Sequence, residues 1–401
     1  MNIAFCSLLL PEEKNIVQRT KGRLPGMSLH KLATALIKGL DANVSEPISV
    51  FNIINTLNYP KFPELRFKTE AWAHAEGAED WHIGYINLIG IKYITQTNNL
   101  YRKLKQWVKK QNGDKTVIYV HHIYLPMMLA ALRIKRRFPH VKICLITGDM
   151  YGRGGLTKEK KLTLKERLIK GVEWYVTRLA RRFDAYVFAT EAMAEGYGVA
   201  DKPHCVLECT YNSDGQTDIT YTGEEKTIFY AGALRDDYGM PHLLRAFSKI
   251  ADPDYRLWLA GGSATETIRT YLDKDPRITL LGFLSLQEVA AYQQRATVLI
   301  SPRTAEHEFV KYSFPSKTME CLASGKPYIA HRLPCDPPEY AAHIQHPENE
   351  SDEALADKIV QVCEMTAEAR AAIGRNARTF IVEEKNPKAM CRRLLELFKE
   401  N

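Results

Sequence analysis

The stretch that decides the fold is TVLISPRTAEHEFVKYSFPSKTMECLASGKPYIA, residues 297–330. It begins with a short apolar run, continues through a polar loop and ends in a second apolar run. Between the two runs, Pro315 and Ser316 are suited to start a helix and Gly325 is suited to end it, so the pattern predicts a helix over 317–324. Two strands joined by a helix form a parallel βαβ unit.

The same alternation of strands and helices extends along the chain in two sets. MNIAFCSLLL, TVIYVHH, KICLITGD and DAYVFAT precede the polar stretch HCVLECTYNSDGQTDITYTGEE, and KTIFYAG, YRLWLAGG and RITLLGF follow it. A length of 401 residues also favours two domains. We therefore predict an α/β chain with Rossmann-like domains at 1–205 and 206–385. A C-terminal helix within 386–401 is expected to pack back toward the first domain.

The composition is typical of a soluble globular protein, with 45% hydrophobic and 25% charged residues. The first apolar run lacks a preceding basic segment and a cleavage site, so we interpret it as a buried strand and predict a cytoplasmic chain. No apolar run approaches the roughly 20 residues that cross a bilayer. The eight scattered cysteines fit a reducing compartment, and the Cys205/Cys209 pair lacks the second pair that zinc needs.

Charge is distributed unevenly between the two halves. Residues 1–200 contain 31 Lys and Arg against 17 Asp and Glu, whereas residues 201–401 contain 24 against 30. A basic half favours nucleic acid or anionic lipid as a partner. Since no nucleic-acid-binding motif is present, we predict an anionic membrane surface and no nucleic acid.

A basic segment, KLTLKERLIKGVEWYVTRLARRF (residues 161–183), is the main candidate for that contact. Helical spacing places an apolar stripe on one side, formed by Leu164, Leu168, Val172, Tyr175, Leu179 and Phe183. The basic side consists of Arg167, Lys170, Arg178 and Arg181. We expect the stripe to pack in the core and the basic side to lie on lipid.

Loops that follow strands of a parallel sheet are the usual ligand sites. Gly232 and Arg235 follow KTIFYAG, Gly261 and Gly262 follow YRLWLA, and Arg303 follows TVLISP. Small residues admit a ligand and arginines bind anions. The chain has neither Gly-x-Gly-x-x-Gly after its first strand nor a P-loop, which argues against a dehydrogenase or an ATPase.

The helix predicted over 317–324 has the features of an anion site. Its free N–H groups and dipole favour a phosphate, and Lys317 adds a full positive charge. Glu320 lies on the same face, where its carboxylate would accept hydrogen bonds from ribose hydroxyls. The alternative is that Glu320 only stabilises the first turn and that Lys317 is simply solvated. Asp273 and Asp275 imitate a metal-binding pair, but they precede Pro276 and are interpreted as a turn.

These segments together resemble the donor domain of GT-B glycosyltransferases of family 4. The resemblance is strongest to the bacterial polysaccharide-assembly branch with a Tyr-Ser-Phe-Pro-Ser-Lys-x-x-Glu box, here Tyr312 to Glu320, and it extends to YAGALRDDYGMPHLLRAF, WLAGG, LLGFLS, ISPR and LPCDPPEY. It implies two Rossmann-like domains whose parallel sheets face an interdomain cleft. The first would bind the acceptor and the second a nucleotide-sugar, without a cofactor or a metal ion.

The resemblance also implies roles for single residues. The donor-binding set is Gly232, Arg235, Gly261, Gly262, Phe283, Arg303, Tyr312, Pro315, Ser316, Lys317 and Glu320. Tyr312 stands where the family has a glutamate, and Ala233 and Tyr238 stand where it has Arg and Lys. Arg235, Arg303 and Lys317 are expected to replace that charge.

In the first domain, the resemblance makes His121, His122 and Asp149 the candidate catalytic residues. Gly26 and Ser28 resemble the loop that faces the diphosphate.

The expected activity is that of a retaining, hexosyltransferase-type enzyme. It would move a sugar from a UDP- or GDP-sugar to a lipid-linked or glycan acceptor in cell-surface polysaccharide biosynthesis, at the inner face of the cell membrane. Two alternatives remain open, a non-catalytic nucleotide-sugar-binding scaffold and a sugar-nucleotide epimerase of the same fold.

Overall fold

A computed structural model describes residues 1–10, 27–111, 115–150, 164–211, 226–262 and 264–399. The chain divides into two compact units. The first contains Met1–Thr210 together with Pro387–Asn401, and the second contains Tyr211–Asn386. Each unit has a mostly parallel sheet with helices, so the predicted α/β fold is confirmed.

The strands of the first unit are β1 (Asn2–Ser7), β2 (Ser49–Asn52), β3 (Arg66–Phe67), β4 (Glu70–Trp72), β5 (Asp80–His82), β6 (Tyr85–Ile86), β7 (Thr116–His121), β8 (Lys142–Thr147), β9 (Ala185–Phe188) and β10 (His204–Val206). Its helices are α1 (Met27–Asp41), α2 (Ile91–Lys110), α3 (Leu125–Arg137), α4 (Leu164–Ala180) and α5 (Ala192–Tyr197).

The second unit contains strands β11 (Thr227–Ala231), β12 (Arg256–Ala260), β13 (Ile278–Gly282), β14 (Val298–Ser301) and β15 (Tyr328–Ala330). Its helices are α6 (Met240–Ser248), α7 (Glu266–Lys274), α8 (Leu286–Arg295), α9 (Ser316–Ala323), α10 (Asp352–Cys363) and α11 (Ala367–Glu384). Short 3-10 turns occur at Asp236–Tyr238, Glu308–Tyr312 and Pro338–Ala342. Helix α12 (Pro387–Glu396) follows and belongs to the first unit.

The sheet of the first unit has the order β10-β9-β8-β7-β1-β2-β5-β4. Its pairs are parallel except for the edge pair of β4 with β5, and β3 pairs separately with β6. The buried strands are rich in Val, Ile, Phe and Tyr, as parallel strands covered on both faces require. The carboxyl ends of β1, β2, β5, β7 and β8 therefore lie along one edge.

The sheet of the second unit has the parallel order β13-β12-β11-β14-β15. Several helices begin with a side-chain cap. Thr265, Ser285, Ser351 and Thr366 each accept a hydrogen bond from a backbone N–H in the first turn, and Glu288 completes a capping box with Ser285. Such caps compensate for the unpaired N–H groups at a helix start. They fix where each of these helices begins.

Helix α12 shares the core of the first unit. Its side chains Met390, Cys391 and Leu394 are fully buried, and the Tyr119 hydroxyl donates to the carbonyl of Leu394 at 2.9 Å. A Cβ at Gly39 of α1 would lie 2.3 Å from the Pro387 carbonyl oxygen, so this contact requires a glycine. The tail, although last in sequence, packs with the first strands.

Three details differ from the sequence-based expectation. Strand β10 occupies His204–Val206, inside the stretch interpreted as a linker, because its backbone pairs with β9 from Tyr186 to Phe188. The first unit therefore extends to Thr210, beyond the predicted boundary at residue 205. The region between β2 and α2 also holds short strands that were not predicted. Helix α9 lies within about a residue of its predicted bounds, and α12 falls inside the predicted range 386–401.

The apolar stripe of α4 is only partly buried, contrary to the expectation that it packs in the core. Leu179 and Phe183 are buried, but Val172 and Tyr175 are exposed, as is the neighbouring Trp174. The side chains of Leu164 and Leu168 lie outside the described residues. Within the described part of the chain, no helix is long and apolar enough to cross a membrane.

Candidate functional site

A cavity of about 270 Å³ lies at the carboxyl ends of β11 and β14 in the second unit. The start of α9 forms another of its walls. It is lined by Tyr230, Ala231, Gly232, Ala233, Tyr238, Ile300, Ser301, Arg303, Ser313, Phe314, Pro315, Ser316, Lys317, Cys321 and Tyr328. This is the edge of a parallel sheet where ligands usually bind.

Arg303 provides the strongest electrostatic feature of the cavity. The residue is only 5% exposed, and its guanidinium lies 5.6 Å from the Tyr238 ring centre and 5.0 Å from that of Phe309. Its Nη1 donates to the Ser313 carbonyl at 3.3 Å, whereas Nε and Nη2 have no hydrogen-bond partner among the described residues. A buried cation with unpaired donors is costly unless an anion completes it. The geometry is therefore that of an anion site.

The start of α9 adds to this positive potential. Ser316 and Lys317 line the cavity, and Pro315 precedes the helix in extended conformation. The Lys317 ammonium donates to the Glu320 carboxylate at 2.9 Å, and both side chains are nearly half exposed. Helix α9 therefore presents N–H groups, a lysine and a carboxylate within two turns, which suits a phosphate next to a polyhydroxyl group.

The loop after β11 is fixed by close backbone packing. Gly239 has φ 84°, and a Cβ there would lie 2.1 Å from the carbonyl oxygen of Pro302. Only glycine fits both the left-handed conformation and the contact. This contact holds Tyr238 beside Arg303.

Burial also raises the pKa of two ionisable side chains around the cavity, Asp336 and Tyr230. It raises the pKa of the Asp336 carboxyl to about 6, although the nearby Arg303 cation opposes that rise. The Tyr230 pKa is raised well above its ordinary value, mainly by burial, and its hydroxyl donates to the Ala233 carbonyl at 2.9 Å. Tyr230 is thus a neutral wall of the cavity at pH 7.

Comparison with known protein families finds a similarity for the part of the chain that carries this cavity. Residues 225–365 match the family model of group 1 glycosyl transferases. The matched part contains β11 to β14, α9 and the whole cavity. No curated protein sequence matches the chain.

Solved structures match the fold over nearly the entire chain. Sucrose-phosphate synthase from Thermosynechococcus elongatus gives a TM-score of 0.58 at 14% identity, covering 99% of this chain and 98% of its own. A glycosyltransferase from Rickettsia africae gives 0.60 at 14%, covering 100% and 99%. HepE from Anabaena, in complex with UDP, gives 0.56 at 14%, covering 99% of each chain. These likenesses confirm the GT-B fold class.

The predicted donor-binding residues of the second unit do not all meet at the cavity. Gly232, Arg303, Pro315, Ser316 and Lys317 line it. Gly261 is close, since a Cβ on it would lie 2.2 Å from the Gly232 carbonyl oxygen. The others, Arg235, Gly262, Phe283, Tyr312 and Glu320, are not among the lining residues.

Two of these residues have surroundings that account for their distance from the cavity. Arg235 is exposed and forms a two-pronged ion pair with Asp237, at 2.8 and 2.7 Å. Arg235 is therefore paired away from the cavity, although it was expected to supply positive charge there. The cations that line the cavity are Arg303 and Lys317. Phe283 is 89% exposed beyond the end of β13.

Several lining residues were not predicted from the sequence. Tyr238 was recognised only as a departure from the family pattern, yet its ring lies beside the Arg303 guanidinium. Tyr230, Phe314 and Tyr328 enclose the cavity as apolar walls. Their aromatic character near strand ends and the helix start was a weak signal, common to many buried residues.

The first unit brings the other candidates to the carboxyl edge of its sheet. His121 ends β7, is 3% exposed, and lies with Nδ1 3.1 Å from the Ser7 hydroxyl. Burial, reinforced by His122, lowers its pKa to about 3. His121 is therefore neutral at pH 7 and largely inaccessible.

His122 is the more accessible of the two histidines. It is half-buried with φ 75°, a strained value for a residue other than glycine. Burial lowers its pKa, while the Asp149 carboxylate raises it. Asp149 itself is exposed. Gly26 lies outside the described residues, and Ser28 falls in the first turn of α1 with its side chain undescribed.

The described residues offer no cluster of three His, Cys, Asp or Glu side chains that would hold a metal ion. Asp273 lies within α7, and Asp275 caps that helix and pairs with Arg277 at 2.8 Å. Among the described residues, the eight cysteines, including Cys205 and Cys209, form no disulfide.

Proposed function

We propose that the chain is a retaining glycosyltransferase of the GT4 polysaccharide-assembly branch. It uses a UDP- or GDP-sugar as donor and a lipid-linked or glycan acceptor in cell-surface polysaccharide biosynthesis. The observation that carries the proposal is the buried guanidinium of Arg303, next to the start of α9, with two donor nitrogens that have no partner in the part of the chain that the structure describes. The presence of UDP in the HepE complex supports a nucleoside diphosphate as the ligand.

The proposed reaction exchanges two bonds at the anomeric carbon. The acceptor oxygen forms a bond to that carbon on the face from which the diphosphate oxygen departs, and the acceptor proton passes to the leaving diphosphate. Arg303, Lys317 and the N–H groups of α9 stabilise the negative charge that grows on the leaving group. No cofactor and no metal ion takes part, because fixed cations supply the neutralisation.

The first unit would hold the acceptor. His122 and Asp149 lie together at the carboxyl edge of its sheet, where the half-buried imidazole and the exposed carboxylate are available to acceptor hydroxyls. The buried His121 ring would fix the position of this edge through its hydrogen bond with the Ser7 hydroxyl. In this proposal His122 and Asp149 position the acceptor, and His121 positions His122.

We place the enzyme in the cytoplasm, peripherally bound to the inner face of the cell membrane. Helix α4 exposes Arg167, Lys170 and Arg178 together with Trp174 and Tyr175. Juxtamembrane basic residues contribute roughly 1 kcal/mol each on anionic lipid, and salt screens that attraction. Binding to anionic vesicles should therefore weaken with salt, and equal sedimentation with neutral and anionic vesicles would contradict this placement.

The function is tested by screening UDP- and GDP-sugars for thermal stabilisation of the full chain. The nucleotide-sugar that stabilises most is then supplied, with a labelled sugar, to lipid and glycan acceptors. Transfer with retained anomeric configuration is the expected result. Binding without transfer to any acceptor would favour the scaffold, and conversion of the donor alone would favour the epimerase. Absence of stabilisation by every nucleotide-sugar would refute the donor site.

A further inference from the structure

An unusually apolar surface lies in the first unit, at the start of α2. Its exposed side chains, here called the α2 patch, are Leu57, Leu65, Ile89, Ile91, Tyr93 and Ile94. Ile89 is 79% and Ile94 is 63% exposed. Single exposed apolar side chains are ordinary, but a continuous group indicates a binding surface.

Hydrogen bonds from Asn87 and Lys92 join the two segments that carry the patch. The side-chain amide of the buried Asn87 donates to the carbonyls of Leu57 at 3.0 Å and Glu64 at 3.1 Å. The backbone N–H of Asn87 donates to the Leu65 carbonyl at 2.7 Å. The Lys92 ammonium donates to the Thr56 carbonyl at 2.5 Å. The loop after β2 and the start of α2 are thus fastened together beneath the exposed side chains.

The α2 patch borders the edge that carries the candidate acceptor residues. The Tyr93 ring lies 6.0 Å from that of Tyr124, whose hydroxyl donates to Gln96 of α2 at 2.7 Å. Tyr124 follows His122 by two positions. An acceptor held at the patch would therefore lie next to the loop of His122.

Charge around the patch identifies the kind of partner. Lys61, Arg66 and Lys68 are exposed beside it, and Glu64 is the only acidic residue between 57 and 68. Apolar side chains, a tyrosine and a basic rim together match the interface of an anionic bilayer. A second copy of the chain fits poorly, because a two-fold contact would bring the same basic rims together.

We propose that the α2 patch inserts into the surface of an anionic phospholipid bilayer. Ile89, Ile91 and Ile94 enter the outer acyl region, while Lys61, Arg66 and Lys68 contact phosphate headgroups. This surface differs from the basic side of α4, since its apolar contribution persists at high salt. The inference deepens the proposed function by naming the residues that hold the first unit on the lipid that carries the acceptor.

The test is flotation of the full chain with phosphatidylcholine vesicles and with mixed phosphatidylcholine/phosphatidylglycerol vesicles, each at low and high salt. Wild type should bind the mixed vesicles and keep part of that binding at high salt. The double variant Ile89→Glu/Ile94→Glu should lose roughly tenfold or more in partition coefficient, because burying one isoleucine already corresponds to about that factor. Leu286→Glu changes an equally exposed apolar residue of the second unit and should bind like wild type.

Circular dichroism melts show whether the variants remain folded. We expect them to fold, because the substituted side chains are exposed. Unchanged vesicle binding by the double variant would overturn the proposal, as would failure of wild type to bind either vesicle. A dimer of wild type in the absence of lipid that the double variant abolishes would show instead that the patch joins two copies. Thermal stabilisation by UDP, measured on the same preparations, tests the donor site separately, so the two proposals fail independently.

Discussion

The substitution Arg303→Met should weaken UDP binding without lowering the stability of the unliganded protein. The guanidinium is buried at the cavity, and its Nε and Nη2 are unpaired within the described segments. If these groups meet a diphosphate, their loss removes a charge-assisted contact of about 1.5–3 kcal/mol. Affinity for UDP should then fall roughly 10- to 150-fold. Uridine, which has no phosphate, should lose much less.

The same substitution should leave the unliganded protein as stable as wild type or more stable. It removes ring contacts with Tyr238 and Phe309 and one long hydrogen bond to Ser313. It also removes the favourable interaction of the cation with the buried Asp336 carboxylate, but this loss is offset because a buried cation with unpaired donors no longer has to be desolvated. The unfolding free energy should therefore stay within about 1 kcal/mol of wild type, or rise.

Titration calorimetry with UDP and uridine, combined with urea unfolding, measures both effects. Arg256→Met is the matched control, because Arg256 is an exposed cation at the opposite end of β12. It should not change UDP affinity. If Arg303→Met destabilises the protein by several kcal/mol and binds UDP normally, Arg303 is structural and the anion site is elsewhere.

Three further outcomes are expected. Lys317→Met should weaken UDP far more than uridine, whereas Glu320→Gln should weaken both alike through the ribose; normal UDP binding by both variants would exclude α9 from the donor site. Sugar transfer should continue in excess EDTA, and complete loss restored by manganese or magnesium would contradict the metal-independent mechanism. Burial lowers the pKa of His74, but hydrogen bonds to Asp41 and Asp80 outweigh it and raise that pKa to about 9. Because the folded value exceeds the ordinary 6.5, up to roughly 3 kcal/mol of stability is present below pH 6.5 and lost as pH rises through 9. Urea unfolding of wild type and His74→Gln across that range should converge at high pH, and parallel curves would disprove the linkage.

The fold could be predicted from the sequence wherever local signals agreed. Strands such as Thr227–Ala231 are apolar runs that end at glycine, and the α9 segment has its own start and stop residues. The short strands β4 and β5 lacked such signals, since they mix polar and aromatic residues. They are held by contacts distant in sequence, such as the Asp80 carboxylate accepting from the Val50 N–H at 2.7 Å.

The candidate site was predictable in its charged residues more than in its shape. Arg303 and Lys317 follow recognisable strand and helix signals, and both line the cavity. Tyr238 lies beside Arg303 because Gly239 packs on the Pro302 carbonyl, a contact that only the folded chain reveals. Conversely, Arg235 looked like a ligand-binding cation, but its partner is Asp237, two positions away.

The most direct test of the donor site is a crystal structure of the full chain with UDP. We expect the diphosphate to contact the Arg303 guanidinium and the N–H groups at the start of α9, with the ribose hydroxyls within hydrogen-bonding distance of Glu320. UDP bound elsewhere, with the Arg303 donors still unpaired at saturating nucleotide, would contradict this expectation.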